Sequence, residues 1–291
     1  MNVALRDVSV VRVRGEQRVA DVDRAATEEP LEVRLHGKPF AVIMRTPGAD
    51  RELAAGFLLA ERVLKSADDL GTIEHCRDNV RTGPASGQSP EGGSTPQNGA
   101  AENVVNVTLT GRTLDDLDRL LTERRQTLTS SSCGLCGRLT IESLQTDVPP
   151  LATGGRVPTA TIARLPDGLR RAQAVFDETG GLHAAGLFDH EGALVAVAED
   201  VGRHNAVDKV IGRMLMRDEL PLTGLLLFVS GRTSFEIVQK ALLGGIPIVA
   251  SVSAPSSLAI DLARQGNATL LGFVRGGSFN VYTGIERVDG T

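Results

Sequence analysis

The sequence predicts an α/β protein, in which a smaller N-terminal α+β region precedes a C-terminal region of alternating strands and helices. Two observations in the second half of the chain carry this prediction. Short apolar runs such as "LLLFVS" and "IPIVASV" alternate with amphipathic segments such as "SFEIVQKALL". Continuous apolar runs of this length are typical of strands that are buried on both faces of a mostly parallel sheet.

The composition is that of a globular protein with room for a sizeable core. The chain has 291 residues, of which 41% are hydrophobic and 23% charged, and its formal net charge is −5. A mildly acidic chain has no general attraction to nucleic acid or to an anionic membrane. No apolar run reaches the roughly 20 residues that span a bilayer, and the first residues lack a secretory signal. We therefore expect a cytoplasmic protein that binds neither nucleic acid nor membrane.

The first half of the chain combines strand and helix patterns. Residues 31–46 read as two strands joined by a turn, and Asp50 is placed to cap the amphipathic helix that follows. The segment "ENVVNVTLTG" alternates like a strand, and residues 113–124 have the pattern of a helix.

Two segments interrupt this half and set its limits. Residues 81–101 have almost no bulky apolar side chain, so we predict a disordered surface insertion there. The segment 147–158, rich in Pro and Gly, is the predicted domain boundary. The predicted domains are therefore residues 1–146, which include a mobile loop at 127–138, and residues 147–291.

The second half is predicted element by element. The predicted helices lie at about 166–178, 203–217, 234–243 and 256–265. The predicted strands lie at about 182–189, 193–199, 225–230, 246–252, 268–275 and 279–284.

Polar residues gather in four loops that follow these strands. The loops are "EDVGRHN", "SGRTS", "SVSAPSS" and "VRGGSFN". Because ligands of open α/β sheets bind beyond the carboxyl ends of the strands, we expect the four loops to share one edge. "SGRTS" opens a helix, with Thr233 and Glu236 at the spacing of a capping box.

Free N–H groups at a helix start, together with Arg203, Arg232 and Arg275, predict a site for an anion with several phosphates. The loops match neither the P-loop nor the dinucleotide fingerprint, so ordinary turns with solvated arginines remain an equal alternative. His204 can contact a ligand or serve a structural role, Asp200 can cap the helix at 203, and His183 is expected to be a core histidine.

Two of the three cysteines lie in "SSSCGLCGR", at Cys133 and Cys136. A zinc site would need more ligands, and only His75 and Cys76 stand out as candidates. A thioredoxin-like dithiol would need a helix start, which the flanking glycines weaken.

A third interpretation is a persulfide carrier, in which an exposed thiolate on a mobile segment attacks sulfur and a second thiol assists its release. Gly and Ser provide the mobility, and Arg138 favours the thiolate. Two inert cysteines in a glycine turn are the remaining alternative.

Several long motifs together resemble those of the formate dehydrogenase accessory sulfurtransferase family, FdhD. They are "SSCGLCG", "TGGLHAAGLF", "AEDVGRHNAVDKVIG", "SGRTSFEIVQKALLGGIPIVASVSAPSSLAIDLA" and "GFVRGGSFNVYTG". Their number and order make the resemblance specific, and it covers about 31–80 and 103–284.

The resemblance implies a sulfurtransferase that works as a cytoplasmic sulfur carrier. Such a protein accepts persulfide sulfur from a cysteine desulfurase and passes it to the molybdenum cofactor, molybdenum bis(molybdopterin guanine dinucleotide). The sulfurated cofactor then enters formate dehydrogenase. The resemblance also implies a homodimer, and a guanine nucleotide such as GDP is expected to mimic the cofactor in the nucleotide-binding site.

The resemblance assigns roles to residues of this chain. It makes Cys133 the persulfide cysteine and Cys136 its partner. The segment that matches the family's cofactor-binding motif consists of Phe273, Val274, Arg275, Gly276, Gly277 and Ser278. The other expected cofactor-binding residues lie in the edge loops and are Arg203, His204, Ser230, Gly231 and Arg232.

The resemblance also implies a three-layer α/β/α cytidine-deaminase-like fold for the C-terminal domain. Zinc deaminases use H-x-E followed by PCxxC, whereas this chain has Ala185 two residues after His183. Deamination is therefore not expected. A non-catalytic chaperone that only escorts the cofactor to formate dehydrogenase is the alternative function.

Overall fold

The computed structural model describes residues 3–76, 103–111, 150–152 and 154–290. The predicted insertion, the predicted helix at 113–124 and the cysteine loop lie outside these residues. In the N-terminal half the strands are β1 (Leu5–Arg14), β2 (Gln17–Ala26), β3 (Glu29–Leu35), β4 (Lys38–Arg45), β5 (Leu70–His75) and β6 (Val104–Leu109), and the helix is α1 (Asp50–Ala60).

The N-terminal strands form two sheets. β1 and β2 pair as an antiparallel ribbon, and the other four strands form a sheet in the order β4-β3-β6-β5. The strands predicted within 31–46 and around 104–109 are confirmed, whereas β1, β2 and β5 escaped prediction. The ribbon carries exposed Val11, Val13, Val19 and Val22. Neither face of the ribbon is covered along most of its length, and Val10 and Val11 of β1 fall on opposite faces. The ribbon therefore lacks the single apolar face that marks a half-buried strand.

The predicted cap at Asp50 is wrong. Ala49 occupies the cap position in a left-handed conformation, and Asp50 is the first residue of α1. The buried guanidinium of Arg45 donates a hydrogen bond to each carboxylate oxygen of Asp50, at 2.9 Å in both cases. A carboxylate held by a bidentate ion pair is unavailable to cap its own helix.

The C-terminal half alternates strands and helices as the sequence predicts. Its strands are β7 (Val157–Pro158), β8 (His183–Phe188), β9 (Leu194–Asp200), β10 (Leu226–Val229), β11 (Ile248–Ser251), β12 (Thr269–Arg275), β13 (Ser278–Thr283) and β14 (Val288–Asp289). Its helices are α2 (Thr159–Arg171), α3 (Ala174–Thr179), α4 (Arg203–Met216), α5 (Phe235–Leu243) and α6 (Ser257–Gln265).

The helix predicted at 166–178 is in fact two helices. α2 begins at Thr159 and runs through Pro166, and a short break at Ala172 and Gln173 separates it from α3. Proline suits the first turn of a helix, yet here Pro166 lies within α2. None of the helices in the described part of the chain has both the length and the apolarity needed to cross a bilayer.

Six strands form the main sheet, in the order β13-β12-β11-β10-β8-β9. β10, β11 and β12 are parallel, and β8 runs antiparallel to both of its neighbours. β9 therefore points the same way as β10, so the carboxyl ends of β9, β10, β11 and β12 lie at one edge. β8 begins at this same edge, where His183 pairs with Asp200.

The sheet is covered on both faces. One apolar cluster includes Ile162 and Leu165 of α2 together with sheet residues such as Phe228. The other combines α4, α5 and α6 with the opposite sheet face and continues into α1 and the four-stranded N-terminal sheet. The chain is thus an α/β protein whose larger core includes residues of both halves; the domain division at 146/147 stays a prediction.

The contact between α1 and α4 depends on two glycines. A Cβ atom at Gly56 would collide with the backbone carbonyl of Asp208, and one at Gly212 would collide with the carbonyl of Glu52. The two helices therefore approach with backbone against backbone, and only glycine fits at the two crossing positions.

Candidate functional site

The carboxyl edge of the six-stranded sheet is the candidate site. The strand directions bring all four polar loops to this edge, as the sequence predicts. Adjacent strands lie about 4.8 Å apart, so the loops after β9 and β12, four strand positions apart, are separated by roughly 19 Å. The edge is therefore a long, shallow line of polar groups.

The loop between β9 and α4 is fixed by the wholly buried Asp200. One carboxylate oxygen accepts the N–H of Gly202 at 2.8 Å, and the other lies 2.7 Å from the ammonium of Lys209. That oxygen also accepts the N–H of Thr46 at 3.2 Å, and Lys209 donates to the carbonyl of Thr46 at 2.9 Å. Asp200 therefore ties this loop to the end of β4, and its role is structural.

The loop after β10 lies against His183 and Arg203. A Cβ atom at Gly231 would lie 3.3 Å from Nδ1 of His183 and 3.7 Å from Cδ of Arg203. Ser230 holds the loop in place, because its hydroxyl accepts the N–H of Ala184 at 2.9 Å. The backbone of Gly231 therefore lies close to the imidazole of His183 and to the Arg203 side chain.

His183 is only half-buried, so it is not the core histidine that the sequence favoured. Burial and the charge of Arg203 lower the pKa of His183, while the charge of Asp200 opposes them. The Nε atom of Arg203 is buried and has no hydrogen-bond partner among the described residues. His183 therefore lies at the edge as a mainly neutral group near neutral pH, next to a cation with an open donor.

The predicted capping box at Thr233 and Glu236 is wrong. Ser234 is the N-cap residue of α5, and no side chain makes the cap hydrogen bond. Thr233 is instead wholly buried between two loops, where its N–H donates to Ala254 and its carbonyl accepts the N–H of Ser256. The loops after β10 and β11 are therefore joined to each other by backbone hydrogen bonds.

At the start of α5, three side chains form a cluster. Nε2 of His204 lies 2.9 Å from the hydroxyl of Ser234 and 3.4 Å from a carboxylate oxygen of Glu236. His204 and Glu236 are each only 7% exposed. Burial raises the pKa of Glu236 to about 7, with the charge of Lys240 opposing the shift. A carboxyl group that titrates near neutral pH thus lies at a helix start.

A second buried acid lies below this cluster. Asp208 of α4 and Lys240 of α5 form an ion pair at 2.6 Å. Burial raises the pKa of Asp208 to about 6 in spite of this partner. Polar groups therefore continue from the edge into the interface between α4 and α5.

The segment 273–278 contains the end of β12, the turn at Gly276 and Gly277, and the first residue of β13. Phe273, Gly276 and Gly277 have positive φ angles of 53°, 57° and 79°. Two successive residues with positive φ are typical of the tight hairpin turn that favours glycine. The Arg275 guanidinium lies 5.4 Å from the centre of the Phe273 ring, and Arg275 and the turn residues are exposed.

The expected binding residues divide into two groups along the edge. Arg203, His204, Ser230 and Gly231 lie close together, and Arg232 is exposed beside them. The hairpin lies farther along, with Val274 buried in the core, so that Val274 could meet a ligand only through its backbone. Cys133 and Cys136 lie outside the described residues.

Sequence reasoning missed Ser234 and Glu236 as parts of the site. A signal was present, because Glu236 and Lys240 stand at i and i+4 in a helix whose other residues, apart from Gln239, are apolar. That spacing places two charged side chains on the same helix face, which in this helix is buried.

The fold and this edge define a class of α/β protein in which arginines, glycine turns and helix starts line the carboxyl edge of a mixed sheet. Comparison with known proteins narrows the class. The chain belongs to the FdhD/NarQ family, whose model matches residues 26–289.

Proteins of similar sequence align with this chain over nearly its whole length. The sulfur carrier protein FdhD of Streptomyces avermitilis is 49% identical over 287 residues, which cover 96% of this chain and 94% of that protein. The protein of the same name from Mycobacterium tuberculosis is 46% identical, covering 99% of this chain and 100% of its own. A crystal structure from Desulfotalea psychrophila, of a protein assigned as a formate dehydrogenase accessory protein, aligns with a TM-score of 0.73. It is 25% identical and covers 98% of this chain and all of its own.

Proposed function

We propose that this chain is a sulfur carrier that serves formate dehydrogenase. In this proposal, Cys133 accepts sulfur from the persulfide of a cysteine desulfurase, and the chain transfers it to molybdenum bis(molybdopterin guanine dinucleotide) before the cofactor enters the enzyme. The observation that carries the proposal is 46–49% identity, over nearly the full length, to proteins named as sulfur carriers.

The sulfur step balances with two thiols. The Cys133 thiolate attacks the outer sulfur of the desulfurase persulfide, the S–S bond breaks, and the desulfurase thiolate leaves. Attack of the Cys136 thiolate on the inner sulfur of the new persulfide then forms a Cys133–Cys136 disulfide. The outer sulfur leaves with the bonding electron pair as sulfide, and a cellular thiol reductant restores both thiols.

The carboxyl edge would hold the cofactor. Its guanine nucleotide arms carry phosphates, and buried Nε of Arg203 offers a donor without a partner among the described residues. Arg232 and Arg275 would add exposed positive charge, and Gly231 would let a phosphate approach the backbone. Binding residues that span roughly 19 Å along the edge, by the spacing of strands, suit an elongated ligand with several charges.

The test of the sulfur step is mass spectrometry after incubation with a cysteine desulfurase and cysteine. We expect one added sulfur, about 32 Da, on the Cys133 peptide. Cys76→Ala is the matched control, because Cys76 is the partly buried free cysteine of the described part of the chain. An adduct confined to Cys76 would contradict the proposal, and bound zinc without an adduct would favour a metal site.

The alternative is a non-catalytic chaperone that binds the cofactor and escorts it to formate dehydrogenase. Cys133→Ala separates the two functions. A sulfur carrier with this change loses sulfur delivery and keeps cofactor retention. A chaperone with this change still activates formate dehydrogenase in full.

The edge itself is tested with GDP as a probe. We expect Arg203→Ala and Arg275→Ala each to weaken GDP binding about 5–50-fold, the effect of losing one charged hydrogen bond. Binding should also weaken with salt, because exposed arginines are screened. Arg156→Ala, on an exposed arginine paired with Asp289 of β14, is the control.

Three further expectations belong to this proposal. A homodimer would present two edges to a cofactor with two nucleotide arms, and light scattering measures the mass directly. Cell fractionation tests the expected cytoplasmic location. The cytidine-deaminase-like arrangement of the C-terminal half also stays a prediction.

A further inference from the structure

The cluster of Ser234, His204 and Glu236 occupies the place where a phosphate would meet α5. Ser234 is the N-cap of this helix, and Glu236 lies two residues later. The carboxyl group lies 3.4 Å from the His204 ring nitrogen, which is itself 2.9 Å from the Ser234 hydroxyl. The helix start therefore already holds an acid of its own.

The surroundings of Glu236 contain charges of both signs. α4 presents Arg203 and Asp208, α5 itself presents Lys240, and Glu61 follows α1. All four act on the carboxyl group electrostatically. Burial is the largest influence, and it holds the pKa near 7. Both the neutral and the charged form of Glu236 are therefore populated around neutral pH.

The two forms differ in what they permit. An ionised carboxylate at the helix start repels a phosphate and competes with it for the positive end of α5. A protonated carboxyl group does neither, and it can donate a hydrogen bond. An anion bound at this place would in turn favour the protonated form.

We propose that Ser234, His204 and Glu236 form a proton-holding part of the edge site, and that a phosphate lies at the start of α5 only while Glu236 carries its proton. Binding of the polyanion therefore takes up a proton. This inference rests on the proposed function, because it assumes that the edge binds a phosphate-bearing ligand.

His183 should also take up a proton when the ligand binds. The positive charge of Arg203 disfavours protonation of His183, with Asp200 acting against it. A phosphate that neutralises Arg203 removes this influence and makes protonation of His183 easier. Both groups thus take up protons on binding, although His183 does so at lower pH.

The experiment is calorimetric titration of the full chain with GDP, in buffers of different ionisation enthalpy, from pH 6 to 8.5. We expect uptake of about half a proton at pH 7, rising toward about one proton at pH 8, since the free acid is half-protonated near 7. The Kd should rise by up to about tenfold for each pH unit above 7.

Glu236→Gln is the decisive variant, because glutamine keeps the shape of the neutral acid. We expect its proton uptake above pH 7 to fall close to zero and its Kd at pH 8.5 to be about 30-fold lower than that of the wild type, with similar values at pH 6. Any proton uptake that remains in Glu236→Gln near pH 6 should disappear when His183→Gln is added to that variant. Glu191→Gln, on the exposed turn at the opposite edge of the sheet, should behave like the wild type.

The outcomes separate this inference from the function beneath it. GDP binding without proton uptake in the wild type overturns the inference and leaves the carrier proposal intact. Proton uptake that is unchanged in Glu236→Gln also overturns the inference. A circular dichroism spectrum shows whether this variant is folded. No GDP binding under any condition overturns both the edge site and the inference.

Discussion

The buried ion pair of Asp200 and Lys209 holds the start of the carboxyl-edge loop between β9 and α4 in place. Asp200 and Lys209 are 0% and 2% exposed, and each has several partners: the carboxylate accepts from Gly202, Asn205 and Thr46, and the ammonium donates to the carbonyls of Thr46 and Glu199. An ion pair so fully satisfied is costly to break, because the remaining charge has no water to replace the lost partner.

Lys209→Met should therefore lower the free energy of unfolding by about 3–5 kcal/mol. Urea denaturation at pH 7 provides the measurement. Arg264→Met is the control, since Arg264 and Asp261 form an exposed pair worth about 0–1 kcal/mol. A loss as small as the control's would show that Lys209 is not needed to hold Asp200.

Glu236 makes stability depend on pH in a definite direction. Its pKa in the folded chain is about 7, above its ordinary value of 4.5. The contribution of Glu236 to the free energy of unfolding is thus fully present below about pH 4.5 and is lost as the pH rises to about 7. Asp208, with a pKa of about 6 against an ordinary 3.8, has the same sign.

The expected result is that Glu236→Gln gains melting temperature over the wild type as pH rises from 4.5 to 7, after which the difference stays constant. Thermal melts at half-unit pH steps follow this difference. A gap that is flat, or that closes with pH, would contradict a raised pKa for Glu236.

Among the elements, the crossing of α1 and α4 is the most demanding. Gly56 and Gly212 let the backbones touch, and no rotamer change relieves a clash between a Cβ atom and a backbone carbonyl. The helices would have to separate, and the apolar side chains around them would lose packing.

Gly56→Ala should thus destabilise the protein by about 1–3 kcal/mol or more, although alanine favours helices. Chemical denaturation compares it with Gly224→Ala, whose Cβ meets nothing within 4 Å, and which should change stability by less than about 0.5 kcal/mol. If Gly56→Ala is neutral or stabilising, the helices do not approach this closely.

The elements that were predictable are those buried in a regular way. β10 and β11 are continuous apolar runs because both faces of the sheet are covered. β5 escaped prediction because Ile73 is the one residue of that strand that is buried. Helix capping was misjudged at Asp50 and at Thr233 because partners outside each helix, Arg45 and the loop after β11, determine those positions.

At the scale of the whole molecule, the two halves share a core. The larger apolar cluster joins Leu31 and Val105 of the N-terminal sheet to Val207 of α4 and Leu227 of the main sheet. Separating the halves would expose these side chains to water, at roughly 25 cal/mol for each Å² of apolar surface.

We therefore expect the halves to unfold together. Hydrogen exchange at increasing denaturant should show protection of β3 and β10 lost at the same concentration. A fragment of residues 147–291 should fail to give a cooperative melt. Loss of protection in β3 well before β10 would instead support separately folding domains.

The site was predictable in outline and not in detail. Loops at strand ends located Arg203, His204 and Ser230, since strand direction alone brings them to one edge. The acid at the start of α5 was not predictable in this way, because its proton depends on burial and on charges from α4, which no local pattern encodes.

The attachment of the 200–205 loop to the end of β4 has a consequence for recognition. The Asn205 amide donates to the Met44 carbonyl at 2.8 Å and to Asp200 at 2.8 Å, so the start of α4 is immobilised before any ligand arrives. In the proposed binding at this edge, a ligand would meet the α4 end at little cost in conformational entropy, because the protein itself already holds this loop in place.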